Sequence, residues 1–315
     1  MTLTELKYIV AVARERHFGR AAEACFVSQP TLSVAIRKLE DELGVQLFER
    51  GSSEISVTPI GEQVVEQAQR VLEQASAIRE IAKQGKDPLD GPLKVGVIYT
   101  IGPYLLPALV RQMISDAPHM PMLLQENYTI KLLELLRQGE IDVAILADPV
   151  NAQGVVSQPL YDEPFVVAVP SGHPLSKRRS VPASYRKSET MLLLGTGHCF
   201  RDQVLEVCPE LLRFSQTSAG IQKTFEGSSL ETIRHMVASG IGITVLPRMA
   251  IPAQPKSDPL LRYVRFEEPV PSRRVTIAWR KSYSRAAAVR KLREAVLALD
   301  LEGVTMLPRE PAVSH

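Results

Sequence analysis

Cysteine is scarce in this sequence, which has three cysteines among 315 residues. That count argues against a secreted scaffold held together by disulfides, because such chains are rich in cysteine. In a reducing compartment, a cysteine pair is more often catalytic, redox-sensing or metal-binding. Two of the thiols, Cys199 and Cys208, lie close together in the stretch "GHCFRDQVLEVC". The function of this pair is the main question that the sequence raises.

Long apolar runs and an excess of one charge are also absent. No stretch approaches the length of a membrane span, and "MTLTELKYIV" lacks the basic leader and apolar run of a signal peptide. We therefore expect a cytoplasmic protein with no membrane association. The formal net charge of +2 decides nothing about partners, because a local basic surface can exist within a nearly neutral total.

Common cofactor and metal motifs are missing as well. The sequence has no Walker loop, no nucleophile elbow and no dinucleotide fingerprint. Its histidines show no metal-ligand spacing, and no third cysteine accompanies the pair. We expect neither a cofactor nor a metal.

Residues 1–58 have the pattern of a small helical domain. "LTELKYIVAVARE" has apolar residues at helical spacing, and "HFGRAAEACFVSQPTLSVAIRKLEDELGV" predicts two helices around the turn "FVSQP". Ser28 can cap the second helix, Pro30 suits its first turn and Gly44 ends it. Cys25 sits among apolar residues and is interpreted as a core residue. "QLFERGSSEISV" then predicts two short extended pieces joined by a turn, as in a β-wing.

The two helices fit a helix-turn-helix, a unit that binds DNA. Its second helix enters the major groove, and the side chains near the N-terminus of that helix meet base edges. Arginine and lysine side chains farther along would hold phosphates. The predicted DNA-binding residues are Ser28, Gln29, Pro30, Thr31, Ser33, Arg37, Lys38 and Arg50. Residues 1–50 contain seven basic and seven acidic residues, so the pattern alone leaves open a helical docking domain with a charged face.

A long helix from Ile60 to Lys83 is predicted next. Its apolar residues recur at steps of four and three, which is a heptad seam. We expect that the helix has nothing in its own chain to bury this seam against, and we therefore predict dimerisation through it. The seam comprises Val64, Ala68, Val71, Ala75 and Ile78. "GKDPLDGP" predicts a hinge, so the linker spans residues 59–90.

Strands and helices alternate over residues 91–315. "LKVGVIYT", "MPMLLQENY", "IDVAILA", "FVVAVP", "TMLLLG", "GITVLP" and "RRVTIAW" predict strands, with helices between most of them. This order predicts parallel sheets flanked by helices, of the open α/β type. The length suits two lobes, with lobe I at about 91–162 and 269–302 and lobe II at about 163–268.

Three residues follow predicted strands and open predicted helices: Thr100, Thr129 and Cys199. Ligands of open α/β sheets bind at the carboxyl ends of strands, where helix N-termini carry partial positive charge. A thiol placed there has its thiolate favoured, and His198 and Arg201 could add to this effect. We interpret Cys199 as the nucleophile. The threonines could hydrogen-bond a ligand such as peroxide, or they could be ordinary helix caps.

Cys199 and Cys208 lie at opposite ends of one predicted helix. Pro209 favours a helix end near Cys208, because the residue before proline disfavours helix. Nine helical steps span roughly 13–14 Å and place the side chains on opposite faces, whereas a disulfide needs Cα atoms within about 7 Å. A bond between the two therefore requires the segment to unwind and repack. Two unrelated core cysteines are the alternative.

The stretch "HFGRAAEACFVSQPTLSVAIRKLEDELGVQLFER" resembles the DNA-binding domain of LysR-type transcriptional regulators, and "TPIGE" resembles the start of their linker helix. The resemblance implies a winged helix-turn-helix, a dimerisation helix and a two-lobed α/β sensor domain built like a periplasmic binding protein. It also implies a homotetramer, a dimer of dimers, that binds double-stranded DNA and acts with RNA polymerase.

The stretches "GHCFRDQVLEVC" and "GPLKVGVIYTIGPYLLP" are similar to the hydrogen peroxide-sensing members of that family. This resemblance implies a peroxidatic Cys199 and a resolving Cys208 that form an intramolecular disulfide and change the transcription of antioxidant genes. It implies a stoichiometric sensor, not an enzyme, that is reduced by a glutaredoxin- or thioredoxin-type partner. The implied peroxide-binding positions are Thr100, Thr129, His198, Arg201 and Asp202.

Some features of this comparison stay open. Asp202 could pair with Arg201 or help to move a proton, and Arg273 and Arg274 compete for the arginine on the last strand. Phe200 is bulkier than the aliphatic residue expected there. Two other functions also stay open: a regulator that binds a small metabolite between the lobes, with structural cysteines, and a thiol peroxidase, which would leave residues 1–60 unexplained.

Overall fold

A computed structural model describes residues 1–50, 55–83, 88–183, 190–207, 229–252 and 258–307, without the side chains at 50, 77 and 79–83. The chain divides into two compact units, one of Met1–Pro88 with Ser282–Arg285 and one of Leu89–Lys281 with Ala286–His315. Within the described ranges, no helix is long and apolar enough to cross a membrane.

The first unit is a winged helix-turn-helix followed by a long helix, as predicted. Its elements are α1 (Leu3–Glu15), α2 (Phe18–Ala24), α3 (Gln29–Leu43), β1 (Phe48–Arg50), β2 (Ile55–Val57) and α4 (Pro59–Lys83), with β1 and β2 antiparallel. The Ser28 hydroxyl caps α3 by accepting a hydrogen bond from the Thr31 N–H at 3.3 Å. Gly44 ends α3 with a φ of 67°, a conformation that favours glycine.

The seam predicted on α4 is partly buried within the chain itself. Ala68 is only 3% exposed and belongs to the apolar core of the first unit, and Val64 packs against the same core. The expectation that α4 has nothing in its own chain to bury its seam is therefore wrong for these two residues. Ala75 is half-buried, and Val71 and Ile78 are exposed, Ile78 to 68%. The prediction of a dimer seam now rests on the C-terminal part of α4.

The second unit is built around one sheet with helices packed on it. Its strands are β3 (Leu93–Ile98), β4 (Met122–Asn127), β5 (Val143–Ala147), β6 (Val155–Pro170), β7 (Ser180–Val181), β8 (Thr244–Pro247), β9 (Leu261–Phe266), β10 (Ser272–Arg280) and β11 (Thr305–Met306). Its helices are α5 (Gly102–Asp116), α6 (Thr129–Gln138), α7 (Cys199–Val207), α8 (Leu230–Ala238) and α9 (Ala286–Leu297). The sequence analysis did not predict α9.

The sheet is mixed, whereas the sequence analysis predicted parallel sheets. The strand order is β4-β3-β5-β10-β6-β9-β7, with β8 and β11 also paired to β6. β3 is parallel to β4 and β5, but β10 is antiparallel to both β5 and β6. The reason is that the chain passes from one half of the sheet to the other along β6 and returns along β10 in the opposite direction.

β6 is 16 residues long and joins the two halves. Residues 155–164 pair mainly with β10, and residues 165–170 pair with β8 and β9. Only the second half, "FVVAVP", was predicted, because the first half contains two prolines and alternates less clearly. The strand predicted at "TMLLLG" is wrong: Met191 forms an isolated bridge with Ile243 instead of a continuous strand.

Candidate functional site

The sheet register places Thr100 and Thr129 at the same edge. β3 and β4 are parallel, and Ile98 pairs with Asn127. The two residues that follow each of these positions therefore leave the sheet side by side. Thr100 is buried in the turn after β3, and Thr129 is the first residue of α6. The structure thus brings together two threonines that the sequence analysis placed separately after two strands.

Neither threonine is a helix cap. The N-cap positions of α5 and α6 are Ile101 and Tyr128, and neither makes a side-chain capping hydrogen bond. The alternative interpretation of Thr100 and Thr129 as ordinary caps is therefore wrong. Their hydroxyl groups differ in hydrogen bonding: Arg273 donates to Thr100 Oγ1, whereas Thr129 Oγ1 has no partner among the described residues.

Thr100 is held by Arg273. The Arg273 guanidinium donates to Thr100 Oγ1 at 2.7 Å and to the Thr100 carbonyl oxygen at 2.9 Å. Its Nε donates to Glu163 Oε2 at 2.8 Å, and both charged side chains are fully buried. Because the Thr100 hydroxyl accepts from Arg273, its own proton remains available for donation to another oxygen.

Arg274 lies on the other face of β10 and pairs with Asp162 near the surface, at 2.8 Å and 2.9 Å. The alternation of side chains along a strand explains why two neighbouring arginines have opposite environments. Of the two arginines that the sequence left in competition, Arg273 hydrogen-bonds to Thr100, whereas Arg274 pairs with Asp162.

Three buried polar atoms of this site have no hydrogen-bond partner among the described residues: Thr129 Oγ1, His198 Nε2 and Gln203 Oε1. An unsatisfied buried polar group costs about 1–3 kcal/mol, so such groups are rare in native structures. Burial lowers the pKa of His198 below its usual value of 6.5. Its imidazole is therefore neutral at pH 7, with one nitrogen able to donate and the other able to accept.

Cys199 is the first residue of α7, where it is free and half-buried. Phe200 and Val204 anchor this helix, because both are buried in the core of the surrounding half of the sheet. The helix continues to Val207, which agrees with the helix predicted between the two cysteines. Cys208 itself lies outside the described residues.

Phe200 fills a defined position. Its ring meets the Phe165 ring edge to face, with centroids 5.1 Å apart. The guanidinium carbon of Arg273 lies 5.2 Å from the Phe200 ring centroid, which is within cation–π range. The bulk that the sequence analysis found unexpected therefore lies between an aromatic partner and the arginine that holds Thr100.

Arg201 and Asp202 are both on α7, but they do not form the pair that the sequence suggested. Arg201 donates instead to the Leu194 carbonyl oxygen at 2.9 Å. Asp202 is exposed in the first turn of α7, where a carboxylate interacts favourably with the helix dipole. No ion pair joins the two among the residues that the structure describes.

Three side chains at this site were not predicted from the sequence: Tyr99, Tyr128 and Gln203. The two tyrosines immediately precede Thr100 and Thr129, and their rings contact each other and His198. Gln203 Nε2 donates to the Asp148 carbonyl oxygen at 3.2 Å. A signal was available for Gln203, because it lies four residues after Cys199 and therefore on the same helical face.

The predicted DNA-binding residues mostly line one face of α3. Leu32, Ile36 and Leu39 are buried on its inner face. The exposed predicted residues are Ser28, Gln29, Pro30, Thr31, Arg37 and Lys38. Ser33 is half-buried at the flank, and the side chain of Arg50 lies outside the described part of the structure. Val34, which the sequence analysis missed, is an exposed apolar residue in the middle of this face.

Family models match both parts of the chain. The model for the bacterial regulatory helix-turn-helix protein of the lysR family matches residues 3–62, and the model for the LysR substrate binding domain matches residues 86–300. The chain belongs to the LysR family. The observed fold, a winged helix-turn-helix in the first unit and an α/β sheet domain in the second, agrees with these two matches.

Similar proteins within the LysR family carry the name OxyR. The DNA-binding transcriptional dual regulator OxyR of Escherichia coli is 40% identical over 95% of both chains. A full-length OxyR variant from Pseudomonas aeruginosa has a TM-score of 0.80 and 49% identity over 99% of both chains. An H2O2-bound cysteine mutant of Corynebacterium glutamicum OxyR has a TM-score of 0.63 and 36% identity, covering 94% of this chain and 91% of its own.

Elsewhere in this LysR-family chain, Cys25 fits its interpretation as a core residue. It is half-buried at the end of α2, packs against the core of the first unit, and burial raises the pKa of its thiol. Across the described ranges, no group of three or more histidine, cysteine, aspartate and glutamate side chains is placed to hold a metal ion.

Proposed function

We propose that the protein is a hydrogen peroxide-sensing, DNA-binding transcriptional regulator. The observation that carries this proposal is a free Cys199 directly after His198, whose buried Nε2, like the buried Thr129 Oγ1, has no hydrogen-bond partner among the described residues. A small molecule with two oxygens that both donate and accept matches such a site. The names of the OxyR relatives, among them "Hydrogen peroxide-inducible genes activator", support the same assignment.

The proposed reaction begins with the Cys199 thiolate attacking one peroxide oxygen. The O–O bond breaks, water leaves after proton uptake, and Cys199 becomes a sulfenic acid. The Cys208 thiolate then attacks this sulfur, releasing a second water and forming the disulfide. Thr100 and Thr129 hold the peroxide oxygens through their hydroxyls. His198 holds them through its neutral imidazole, which can donate or accept without adding a charge.

Arg201 and Asp202 act indirectly in this proposal. Arg201 ties the start of α7 to the preceding segment through the Leu194 carbonyl. Asp202 stands in the first turn of the helix at whose start the thiolate forms. We assign both as positioning residues beside the thiol.

Disulfide formation would remodel this half of the sensor domain. The helix runs unbroken from Cys199 to Val207. Its eight helical steps separate the Cα atoms of these two residues by roughly 12 Å along the axis, whereas a disulfide needs Cα atoms within about 7 Å. The bond requires that at least part of α7 unwinds. This local change is the step that we expect to alter the subunit arrangement on DNA and to change the transcription of antioxidant genes.

The assembly in this proposal is a homotetramer, a dimer of dimers, on double-stranded DNA. Residues 1–58 bind DNA, residues 59–90 link and dimerise, and residues 91–315 form the sensor. Two surfaces support self-association: the exposed Val71 and Ile78 on α4, and the sheet-edge strand β4, which exposes Leu123 and Leu124. Paired chains would cover both.

The remaining partners follow from the same chemistry. A stoichiometric sensor is not an enzyme, because it reacts once and then waits for a glutaredoxin- or thioredoxin-type reductant to restore its thiols. It acts with RNA polymerase in the cytoplasm, the compartment in which bacterial DNA is transcribed.

Peptide mass spectrometry after brief peroxide exposure tests this function. We expect a bridge between Cys199 and Cys208, with Cys25 remaining free. Replacing Cys199 by serine should abolish the transcriptional response to peroxide, and Cys25→Ser, the matched control, should preserve it. An unchanged response in Cys199→Ser would overturn the proposal in favour of a metabolite sensor. Sustained peroxide turnover with a reductant would instead indicate a thiol peroxidase.

A further inference from the structure

Three rings cluster directly beside Cys199. The Tyr99 and Tyr128 rings meet edge to face, with centroids 5.3 Å apart. The Tyr128 ring also meets the His198 ring at 4.8 Å, and Tyr99 lies 6.0 Å from His198. Such contacts are favourable beyond their buried area. The two tyrosines therefore form one packed unit against the residue that precedes the reactive thiol.

The two tyrosines of this cluster are more exposed than the polar groups next to them. Tyr99 and Tyr128 are each 38% exposed, whereas His198 is only 5% exposed. Thr100 and the Thr129 hydroxyl oxygen, which directly follow the tyrosines in sequence, are also buried. The two tyrosine rings are thus the more accessible part of the site, and the groups that would hold peroxide are its buried part.

The environment of Gly197 shows how closely the Tyr128 ring packs against the neighbouring backbone. Its φ of 95° favours glycine, and a Cβ built there would stand 3.4 Å from Tyr128 Cδ1. The Tyr128 ring therefore lies against the bare backbone two residues before Cys199. This contact joins the loop after β4 to the segment before α7, so the ring closes the space between two separate parts of the chain.

We propose that Tyr99 and Tyr128 form an aromatic gate that sets the size of the oxidant that reaches the site. This inference rests on the proposed function and names its selectivity. Small ring fluctuations would admit hydrogen peroxide. A bulky organic hydroperoxide would have to displace the rings and lose their edge-to-face contacts. The gate therefore favours hydrogen peroxide over larger hydroperoxides.

Alkylation of the reduced full-length protein tests the gate without any peroxide. N-methylmaleimide and N-pyrenylmaleimide share one reaction and differ in size, and mass spectrometry of the Cys199 peptide gives each rate. In Tyr128→Ala the pyrenyl rate should rise roughly tenfold relative to the methyl rate, because the ring contacts with both Tyr99 and His198 are lost. Tyr128→Phe, the matched control, keeps the ring and should keep the original ratio.

Tyr99→Ala gives a second, independent measurement, because it leaves the contact of Tyr128 with Gly197 in place. A rise in the pyrenyl-to-methyl ratio in this variant also supports the gate, even if Tyr128→Ala fails to fold. An unchanged ratio in the alanine variants that fold, or an equal rise in both rates, overturns it.

Peroxides provide the functional counterpart of this test. Cumene hydroperoxide should oxidise Cys199 more slowly than hydrogen peroxide in the original protein, and the alanine variants should narrow that difference. If hydrogen peroxide forms no bridge in the unaltered protein, the proposed function fails. The maleimide ratios would still decide whether the tyrosines gate the thiol, so the two failures are distinguishable.

Discussion

The DNA-binding unit and the Cys199 site differ in whether their buried polar side chains are hydrogen-bonded. Over Met1–Lys83, every described buried side-chain nitrogen or oxygen has a hydrogen-bond partner; Thr58 Oγ1, for example, donates to the Gln46 carbonyl oxygen at 2.7 Å and accepts from the Gly61 N–H at 2.9 Å. At the Cys199 site, by contrast, Thr129, His198 and Gln203 each bury an atom that has no partner in the described part of the chain. One region satisfies its buried polar groups internally, and the other leaves several of them unsatisfied within the described structure.

The two regions have different tasks, which explains the difference. DNA is met at a surface, so the contact groups of α3 can stay exposed while the helix is fully supported from below. A molecule as small as peroxide has to be surrounded to be recognised, so the partners that we propose for it are buried and carry an energetic cost before it binds. In the first unit, different residues should therefore determine stability and DNA binding. At the Cys199 site, the same residues should lower stability and support function.

The largest expected effect is the loss of the buried ion pair. Arg273→Ala leaves Glu163 buried without its charge partner and should lower the free energy of unfolding by about 3–5 kcal/mol. Arg274→Ala, one residue away on the exposed face, should cost at most about 1 kcal/mol. Denaturant unfolding of the reduced protein measures both, and equal losses would contradict the assignment of Arg273 to the site.

Thr129→Val should stabilise the protein, whereas most substitutions of buried residues destabilise it. The change replaces a buried hydroxyl without a partner by a methyl group, so the free energy of unfolding should rise by up to about 1–3 kcal/mol while Cys199 oxidation slows. Thr100→Val is the matched control. It should destabilise the protein, because the Arg273 donor would lose its acceptor. If both variants lose stability, Thr129 is not an unsatisfied ligand-binding group.

Removing a side-chain hydroxyl from the DNA-binding unit should instead lower stability. Ser28→Ala removes the cap of α3 and should lower the free energy of unfolding by about 1 kcal/mol. Val34→Ala on the exposed face should change stability by less than about 0.5 kcal/mol while weakening DNA binding. Thermal unfolding and DNA titration separate the two quantities. A stability gain in Ser28→Ala would erase the contrast between the regions.

The last expected effect is a pH dependence from His198. Burial lowers its pKa in the folded state, so the unfolded state binds a proton more readily as the pH falls below 6.5. Folding stability should therefore decrease with falling pH in that range and level off below the folded pKa. His198→Gln should remove this slope, whereas His119→Gln, an exposed control, should keep it. Urea titrations across this pH range measure the free energy of unfolding. If His198→Gln keeps the pH dependence, another group is responsible for it.

Much of the fold follows from local patterns. The helical spacing of α1 to α3, the Ser28 cap and the Gly44 stop depend on contacts within a few residues, and all were predictable. The heptad pattern of α4 was equally clear, but its interpretation failed at Val64 and Ala68. A repeat shows which face is apolar; it does not show whether that face meets the same chain or another one.

The site shows the same division. The cysteine spacing, Thr100, Thr129 and His198 were accessible from motifs and resemblance. The choice between Arg273 and Arg274 was not, since neighbouring strand residues point to opposite faces and the sequence does not show which face is covered. Tyr99 and Tyr128 gave no pattern of their own, because their contact depends on the parallel register of β3 and β4.

Local chemistry along the chain was enough to specify the helix-turn-helix, the alternation of strands and helices, and a thiol at the start of a helix, since each depends on residues within a turn or two. Contacts between distant segments required the folded chain: the pairing of Arg273 with Glu163 over 110 residues, the unmatched atoms of Thr129 and His198, and the rings over them. Whether a polar group is satisfied depends on everything packed around it, and that packing exists only in three dimensions.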